Sequence, residues 1–396
     1  MHAGSEIRAG LPRPDDDSAR HSAAVARHIA GLIASAGGSI SFAEFMHEAL
    51  YAPALGYYAA GAQKLGPDGD FVTAPELSPL FGHVLARQVA GVLGQLGGGD
   101  ILEPGAGSGA LAVSVLGKLA ELDALPDRYL ILEVSADLRA RQELRLRREL
   151  PQLVERVRWL AEIPTRFSGV VVANEVADAI PVERFRIVDG EIQQARVQST
   201  GSRFEWAYAP APAFLASAVR RIEADIGRPL ENGYESEIST ALASWVSDLA
   251  QAVTRGMLLL VDYGVTRREY YATDRSAGWL RCHFRHHAHN DPLILPGIQD
   301  ITSWVDFTAV AEAAASAGME VCAFTTQAGL MLHGGLQQEL ADLARLPIEQ
   351  QVELSRQVKL LTLPAEMGEN FKCIALRRGE IDTPHGLQGL DRAHSL

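Results

Sequence analysis

Three observations in the sequence predict an α/β fold with a mainly parallel sheet. Short β-type apolar runs alternate with helix-length stretches from residue 100 onward. A Gly-rich turn, Glu103-Pro104-Gly105-Ala106-Gly107-Ser108-Gly109, follows the first of those runs. The chain has 396 residues, 47% of them hydrophobic and 21% charged, enough for one large domain with insertions or two domains sharing a cleft. Strands that alternate with helices lie parallel and are covered on both faces.

The elements follow in order. Residues 1–21 are polar, with Pro12, Pro14 and three successive aspartates, and read as a disordered leader. Val25, Ile29, Leu32 and Ile33 give Ser22 to Ala36 a helical stripe, ended by Gly37-Gly38. Ser41 with Glu44 forms a capping box that opens a helix through Leu50. Tyr51 to Pro79 reads as an ordered loop, and Pro79 to Leu96 as a helix. Then come a strand at 100–102, a helix at 109–122, a strand at 129–134, a helix at 136–150, and strands at 157–160 and 169–173. Asp189-Gly190 and Gly201 mark hairpins between Val182 and Tyr208. Helices are predicted at 213–226 and 236–254, and a strand at 257–261. After an irregular segment, a helix at 307–317 and a strand at 320–325 follow, then helices at 336–346 and 347–361 and a strand at 371–376. This divides the chain into a leader (1–21), an N-terminal helical and lid region (22–98), a core (99–181 and 255–378), an inserted α+β region (182–254) and a flexible tail (379–396).

Bulk chemistry narrows the function. A formal charge of -13 argues against nucleic-acid binding, which depends on Lys and Arg neutralising phosphates. The densest basic run, Arg139 to Arg148, is interspersed with acids and leucines and reads as a solvated helix face. Three widely spaced cysteines, Cys282, Cys322 and Cys373, support neither a disulfide framework nor a zinc site, and fit a reducing, cytoplasmic setting. No apolar run reaches the ~20 residues of a membrane span. His283, His286, His287 and His289 have no metal-ligand spacing, so no metal is expected.

The turn carries the first chemical signal. Glycines let the backbone approach a ligand, and the next strand ends in Glu133, placed to accept hydrogen bonds from two ribose hydroxyls. The NAD fingerprint has three residues from second to third glycine; here there are two, giving GxGxG. Glu103 disfavours a pyrophosphate and suits an ammonium. S-adenosylmethionine, with an ammonium, a sulfonium and a ribose but no phosphate, is therefore expected, with NAD as runner-up.

Longer stretches carry a resemblance. They are Gly69 to Gly82, Asn174-Glu175-Val176-Ala177-Asp178-Ala179-Ile180-Pro181, Val261-Asp262-Tyr263-Gly264, Pro296 to Thr302 and Met367 to Lys372. With the turn and Glu133-Val134-Ser135, they resemble the MidA family of class I methyltransferases, from about Ile40 to Leu376. The resemblance implies a Rossmann-like core with added elements. It also implies a protein substrate: the family includes a mitochondrial assembly factor that methylates an arginine on a respiratory complex I subunit. Pro104 departs from the family pattern.

In an open α/β sheet, ligands bind at the carboxyl ends of the strands. Expected cofactor contacts are Thr73, Pro75, Glu103, Gly105, Gly107, Ser108, Gly109, Glu133, Val134 and Asn174. Glu175, Asp178 and Asp262 are the candidate catalytic acids, because carboxylates hold and orient a guanidinium. Asp70 to Pro79 is a candidate lid, with Glu76 and Ser78. S-adenosyl-L-homocysteine is the expected product, and a protein substrate and a second copy in a homodimer are the expected partners. Small-molecule methylation and a non-enzymatic assembly role are the alternatives.

Overall fold

The computed structural model describes residues 10–59, 73–201 and 203–396. Its centre is an eight-stranded sheet. Seven strands form its path: β1 (Asp100–Pro104), β2 (Tyr129–Leu132), β3 (Val157–Leu160), β4 (Phe167–Asn174), β5 (Val253–Val265), β6 (Glu320–Thr326) and β7 (Phe371–Arg378). Their spatial order is β3-β2-β1-β4-β5-β7-β6. Neighbours among β1 to β5 are parallel, and β7 is antiparallel to both β5 and β6. The eighth strand, Val305–Asp306, runs parallel to the end of β5.

Alternation along the strands builds two core layers. Ile101, Val170, Val172, Leu259 and Cys373 face the helices Pro79–Leu96 and Ala110–Glu121. Leu102, Val171, Leu258, Leu260 and Ile374 face Leu242–Ala252 and Phe307–Ser316. Successive side chains on a strand point to opposite faces, so continuous apolar runs fit a sheet covered on both sides. The mixed α/β class with a mostly parallel sheet is the one the alternation predicts.

A second layer sits over the carboxyl ends of the strands. A five-stranded sheet joins Ser39–Ser41, Glu183–Val188, Glu191–Ser199, Phe204–Pro210 and Glu235–Ile238. A three-stranded antiparallel sheet joins Leu280–Phe284, His287–His289 and Asp300–Ser303. Val25, Phe42, Phe45 and Leu50 of the first two helices pack with Val182, Val197, Cys282 and Ile301 between these sheets.

Several elements differ from the sequence expectation. The first helix starts at Asp16, inside the expected leader, because Asp15 caps it by accepting the Ser18 N–H at 2.8 Å. Residues 236–254 are not one helix. Glu235–Ile238 is a strand beside Glu183–Val188, and the helix Leu242–Ala252 belongs to the core layer, so the inserted region closes about twelve residues early. The irregular segment before residue 307 contains the three-stranded sheet. Helical content after residue 326 lies mainly in Gln327–His333 and Ile348–Thr362, with a single turn at Leu336–Glu339. The expected flexible tail is docked: Ile381 and Leu387 are buried, and Phe324 donates its N–H to Asp391 Oδ1 at 2.9 Å. Two apolar anchors outweigh the polar composition of that segment. Cys373 is buried and Cys322 is partly exposed.

Candidate active site

The Gly-rich turn leaves β1 at Pro104 and enters the helix Ala110–Glu121. Gly105, Gly107 and Gly109 have φ of 67°, 54° and 83°, the left-handed region that suits glycine. A Cβ on Gly105 would lie 3.1 Å from Val176 Cγ2, which ties the turn to the segment after β4. Glu103 is buried beneath the turn and accepts the Tyr129 hydroxyl at 2.6 Å. Burial pushes its carboxyl up to about 7, against the opposing hydrogen bond.

Glu133 follows β2. Its Oε1 accepts the Ser135 N–H at 2.8 Å, and its Oε2 accepts Gln142 Nε2 at 3.1 Å. Gln142 Nε2 also donates to Gly107 O at 2.9 Å, and Trp159 Nε1 donates to Gln142 Oε1 at 2.9 Å. Gln142 thus sets the distance between Glu133 and the turn. A carboxylate has about four lone-pair sites, so Glu133 keeps acceptor capacity for ribose hydroxyls. Burial outweighs these hydrogen bonds and raises its pKa. Val134, next along, is 82% exposed, a large apolar side chain turned to solvent at the sheet's binding edge.

The short helix Ala74–Leu77 bridges the two halves of the site. Thr73 is its N-cap and Pro75 lies in its first turn. Ala74 N–H donates to Glu175 Oε1 at 3.1 Å. Ser108 Oγ donates to Glu76 Oε1, and Arg145 Nη1 reaches Ser108 Oγ at 2.6 Å and Glu76 Oε1 at 3.1 Å. Arg145 therefore departs from the solvated-face expectation: it clamps the glycine turn, while Arg147 pairs with Glu143 on the outer face. Ser78 caps the next helix, donated to by Leu80 N–H at 3.2 Å. The part of the candidate lid before Thr73 lies outside the described residues.

Glu175 occupies the left-handed region at φ 51°, held by its N–H to Val261 O at 2.9 Å. A non-glycine residue is uncommon there and is held by its surroundings. Asn174 Nδ2 donates to Glu175 Oε1 at 3.2 Å. Asn174 Oδ1 and Glu175 Oε2 are buried without a hydrogen-bond partner among the described residues. Burial, then the Asp262 charge, pushes Glu175 up to about 8. Asp178 is buried, and its pKa is raised well above the usual range by burial and by the charges of Asp262, Asp300 and Glu175. Among the described residues, no Lys or Arg forms an ion pair with Glu175, Asp178 or Asp262.

Asp262, a candidate catalytic acid, is held on both oxygens by backbone. Its Oδ2 accepts the N–H groups of Val176, Ala177 and Asp178 at 3.2, 2.9 and 3.2 Å, and its Oδ1 accepts that of Tyr263 at 2.8 Å. With both oxygens engaged by backbone, it shapes the Glu175–Asp178 turn, and burial raises it to about 7.

Local patterns missed other neighbours of the site. Tyr58 donates to Asp300 Oδ1 at 2.9 Å, Tyr51 donates to Ala179 O at 2.9 Å, and the two rings stack at 5.5 Å. Tyr263 packs on Phe371 at 4.0 Å, its phenol pushed up by burial and by the acids around it. Asp300 was visible only as an acid inside a distinctive Pro296–Thr302 stretch. His283 and His289 sit on paired strands, and burial lowers His283 to about 4. Among the described residues, no three His, Cys, Asp or Glu side chains are grouped to hold a metal ion. No helix among them is long and apolar enough to cross a membrane.

Comparison with known proteins agrees with this geometry. A family described as "Putative S-adenosyl-L-methionine-dependent methyltransferase" matches residues 84–325. The mitochondrial protein arginine methyltransferase NDUFAF7 homolog of Drosophila melanogaster is 30% identical over 379 residues, covering 86% of this chain and 82% of its own. Protein arginine methyltransferase NDUFAF7 of Homo sapiens, also mitochondrial, is 27% identical over 390 residues, covering 88% and 82%. The crystal structure of a Burkholderia thailandensis protein bound to S-adenosyl-homocysteine is 40% identical, with a TM-score of 0.91, covering 98% of this chain and 100% of that one.

Proposed function

The chain belongs to the S-adenosyl-L-methionine-dependent methyltransferase family, and on that premise we propose that its acceptor is an arginine side chain of a protein. One observation carries this reading. Glu175 and Asp178 lie buried together with no Lys or Arg ion pair among the described residues, and Glu175 Oε2 has no hydrogen-bond partner there. Uncompensated buried acids are unfavourable, and a planar guanidinium offers five N–H donors in a fork that matches carboxylates.

The residues present fit the cofactor. The glycine turn allows close backbone approach, Glu133 retains lone pairs for ribose hydroxyls, and Asn174 Oδ1 is a buried acceptor suited to an ammonium. S-adenosyl-L-methionine, when bound, supplies an electrophilic methyl on a sulfonium. The chain's own task is to orient and desolvate the nucleophile. Glu175, rigid in its left-handed conformation, orients the acceptor nitrogen. Its raised pKa matches a group that takes the guanidinium proton near neutral pH. Asp178, in the same turn, has its carboxyl held toward the neutral form by burial and can ionise once a cation sits beside it.

The test is direct. The purified protein, radiolabelled S-adenosyl-L-methionine and proteins extracted from cells lacking this chain are incubated, and the product is hydrolysed to amino acids. Label is expected in methylarginine. Label on another amino acid, or only on small molecules, would overturn the reading.

A further inference from the structure

A four-residue helix crosses the crevice in which the methyl donor binds. The strand order reverses between β1 and β4, which are neighbours in the sheet although β2 and β3 separate them in sequence. In an open α/β sheet the ligand crevice opens at that reversal, outside the carboxyl ends of the strands. Ser108 stands on the β1 side of it, in the glycine turn, and Glu175 on the β4 side. The helix Ala74–Leu77 reaches both. Ala74 N–H donates to Glu175 Oε1 at 3.1 Å, while Glu76 Oε1 accepts the Ser108 hydroxyl and, at 3.1 Å, Arg145 Nη1. Arg145 Nη1 also meets Ser108 Oγ at 2.6 Å, so one guanidinium touches both the turn and the helix that lies across it.

Packing accounts for the ends of this segment. Ala74 is buried, Leu77 packs on the core, and Ser78 caps the following helix. Glu76 needs another reason. Its side chain is 11% exposed, and its ion-pair partner comes from the helix after β2, a different element of the donor site. A buried ion pair often holds no better than an apolar contact of the same size. What it adds is reversibility, because both groups regain water when they part. Arg145 also has a second carboxylate to rest on: Glu149, one turn along its own helix, lies 3.4 Å from its Nε. The guanidinium can stay on that helix when Glu76 leaves. We propose that Arg145 is a positioning residue that latches Ala74–Leu77 across the donor crevice, so that S-adenosyl-L-methionine and S-adenosyl-homocysteine exchange when the Arg145–Glu76 contact opens. Because the same helix holds Glu175 through Ala74, closure over the donor also sets the carboxylate on the acceptor side. This role is independent of which group accepts the methyl.

The experiment loads the full chain with radiolabelled S-adenosyl-homocysteine, chases with an excess of the unlabelled compound and follows retained label by rapid filtration. Arg145→Ala and Glu76→Ala are each expected to release label about 10-fold faster than the wild type, in the range for losing a charge-assisted hydrogen bond. The double variant should release it no faster than either single variant, because both substitutions remove one shared contact. Arg145→Lys, which keeps the charge but not the fork, should recover part of the retention. Arg145 acting only to stiffen its own helix, with Glu76 separately stiffening its own, predicts that the two effects multiply in the double variant, and that outcome overturns the proposal. Release at the wild-type rate in Glu76→Ala overturns it as well. That variant leaves the helix Ala136–Glu149 intact and decides the matter if Arg145→Ala does not fold. No gain in retention from Arg145→Lys over Arg145→Ala, or a wild type that retains no label, also overturns it.

Discussion

Asp262 and Glu175 are two buried acids with opposite uses. Asp262 gives its oxygens to four backbone N–H groups and so holds the turn from Val176 to Asp178 in shape. Asp262→Ala would strand those donors, and leaving buried donors unsatisfied costs about 3 kcal/mol or more in total. Urea denaturation should show that loss, whereas a variant as stable as the wild type would refute the anchoring role. Glu175 Oε2 is buried without a hydrogen-bond partner among the described residues. Glu175→Gln preserves shape and the oxygen that faces Ala74 N–H and Asn174 Nδ2, so affinity for S-adenosyl-homocysteine should change less than about 3-fold. Turnover should fall by about 100-fold or more, in the range for losing a general base. Methyl transfer at the wild-type rate would remove Glu175 from the mechanism. Glu175 and Asp178 were legible from their place at the end of a strand. The anchoring by Asp262 was not, because sequence gives no sign of which backbone groups meet a side chain some 85 residues away.

The glycine turn and the helix Ala136–Glu149 act together as one binding element. Gln142 of that helix joins Glu133 to Gly107 O, and Arg145 joins it to Ser108 and Glu76. Gly107→Val forces a β-branched residue to φ near 54°, a strain of about 1–3 kcal/mol, and Glu133→Ala removes a charged acceptor. Each should weaken S-adenosyl-homocysteine binding by about 10- to 100-fold in calorimetry. Wild-type affinity in both variants would place the cofactor elsewhere. The turn itself was readable because its glycines alternate within five residues of sequence. The clamp was not: a helix with Arg139, Arg141, Arg145, Arg147 and Arg148 looks uniformly solvated until packing picks out the face carrying Gln142 and Arg145. A second staple of this kind, Arg267, binds Asp225, Asp306 and Glu312 and so joins the accessory layer to the core.

At the scale of the molecule, the buried acids tie stability to pH. Burial raises Glu175 to about 8 and Glu103 and Asp262 to about 7, above their unfolded values near 4. Between those limits the folded chain binds more protons than the unfolded one, so stability falls as pH rises from about 5 to 8. The ligand-free protein should therefore lose at least about 1 kcal/mol between pH 5.5 and pH 8 in denaturant melts, and Glu175→Gln should lose less. Equal slopes for the two proteins would refute the assignment. The sequence by itself determined the parallel core, the glycine turn, Glu133 and the acids after β4, because apolar period, turn glycines and strand ends are local properties of neighbouring residues. Only the tertiary structure decided what surrounds those acids. Tyr58, the Glu175–Asp178 turn, Asp262 and Asp300 come from separate stretches of chain, and the last strand of a small antiparallel sheet docks on the turn after β4 through Ser303 N–H to Asp178 O. Docking of that kind depends on complementary surfaces formed after the elements exist, and no spacing within a single segment records it.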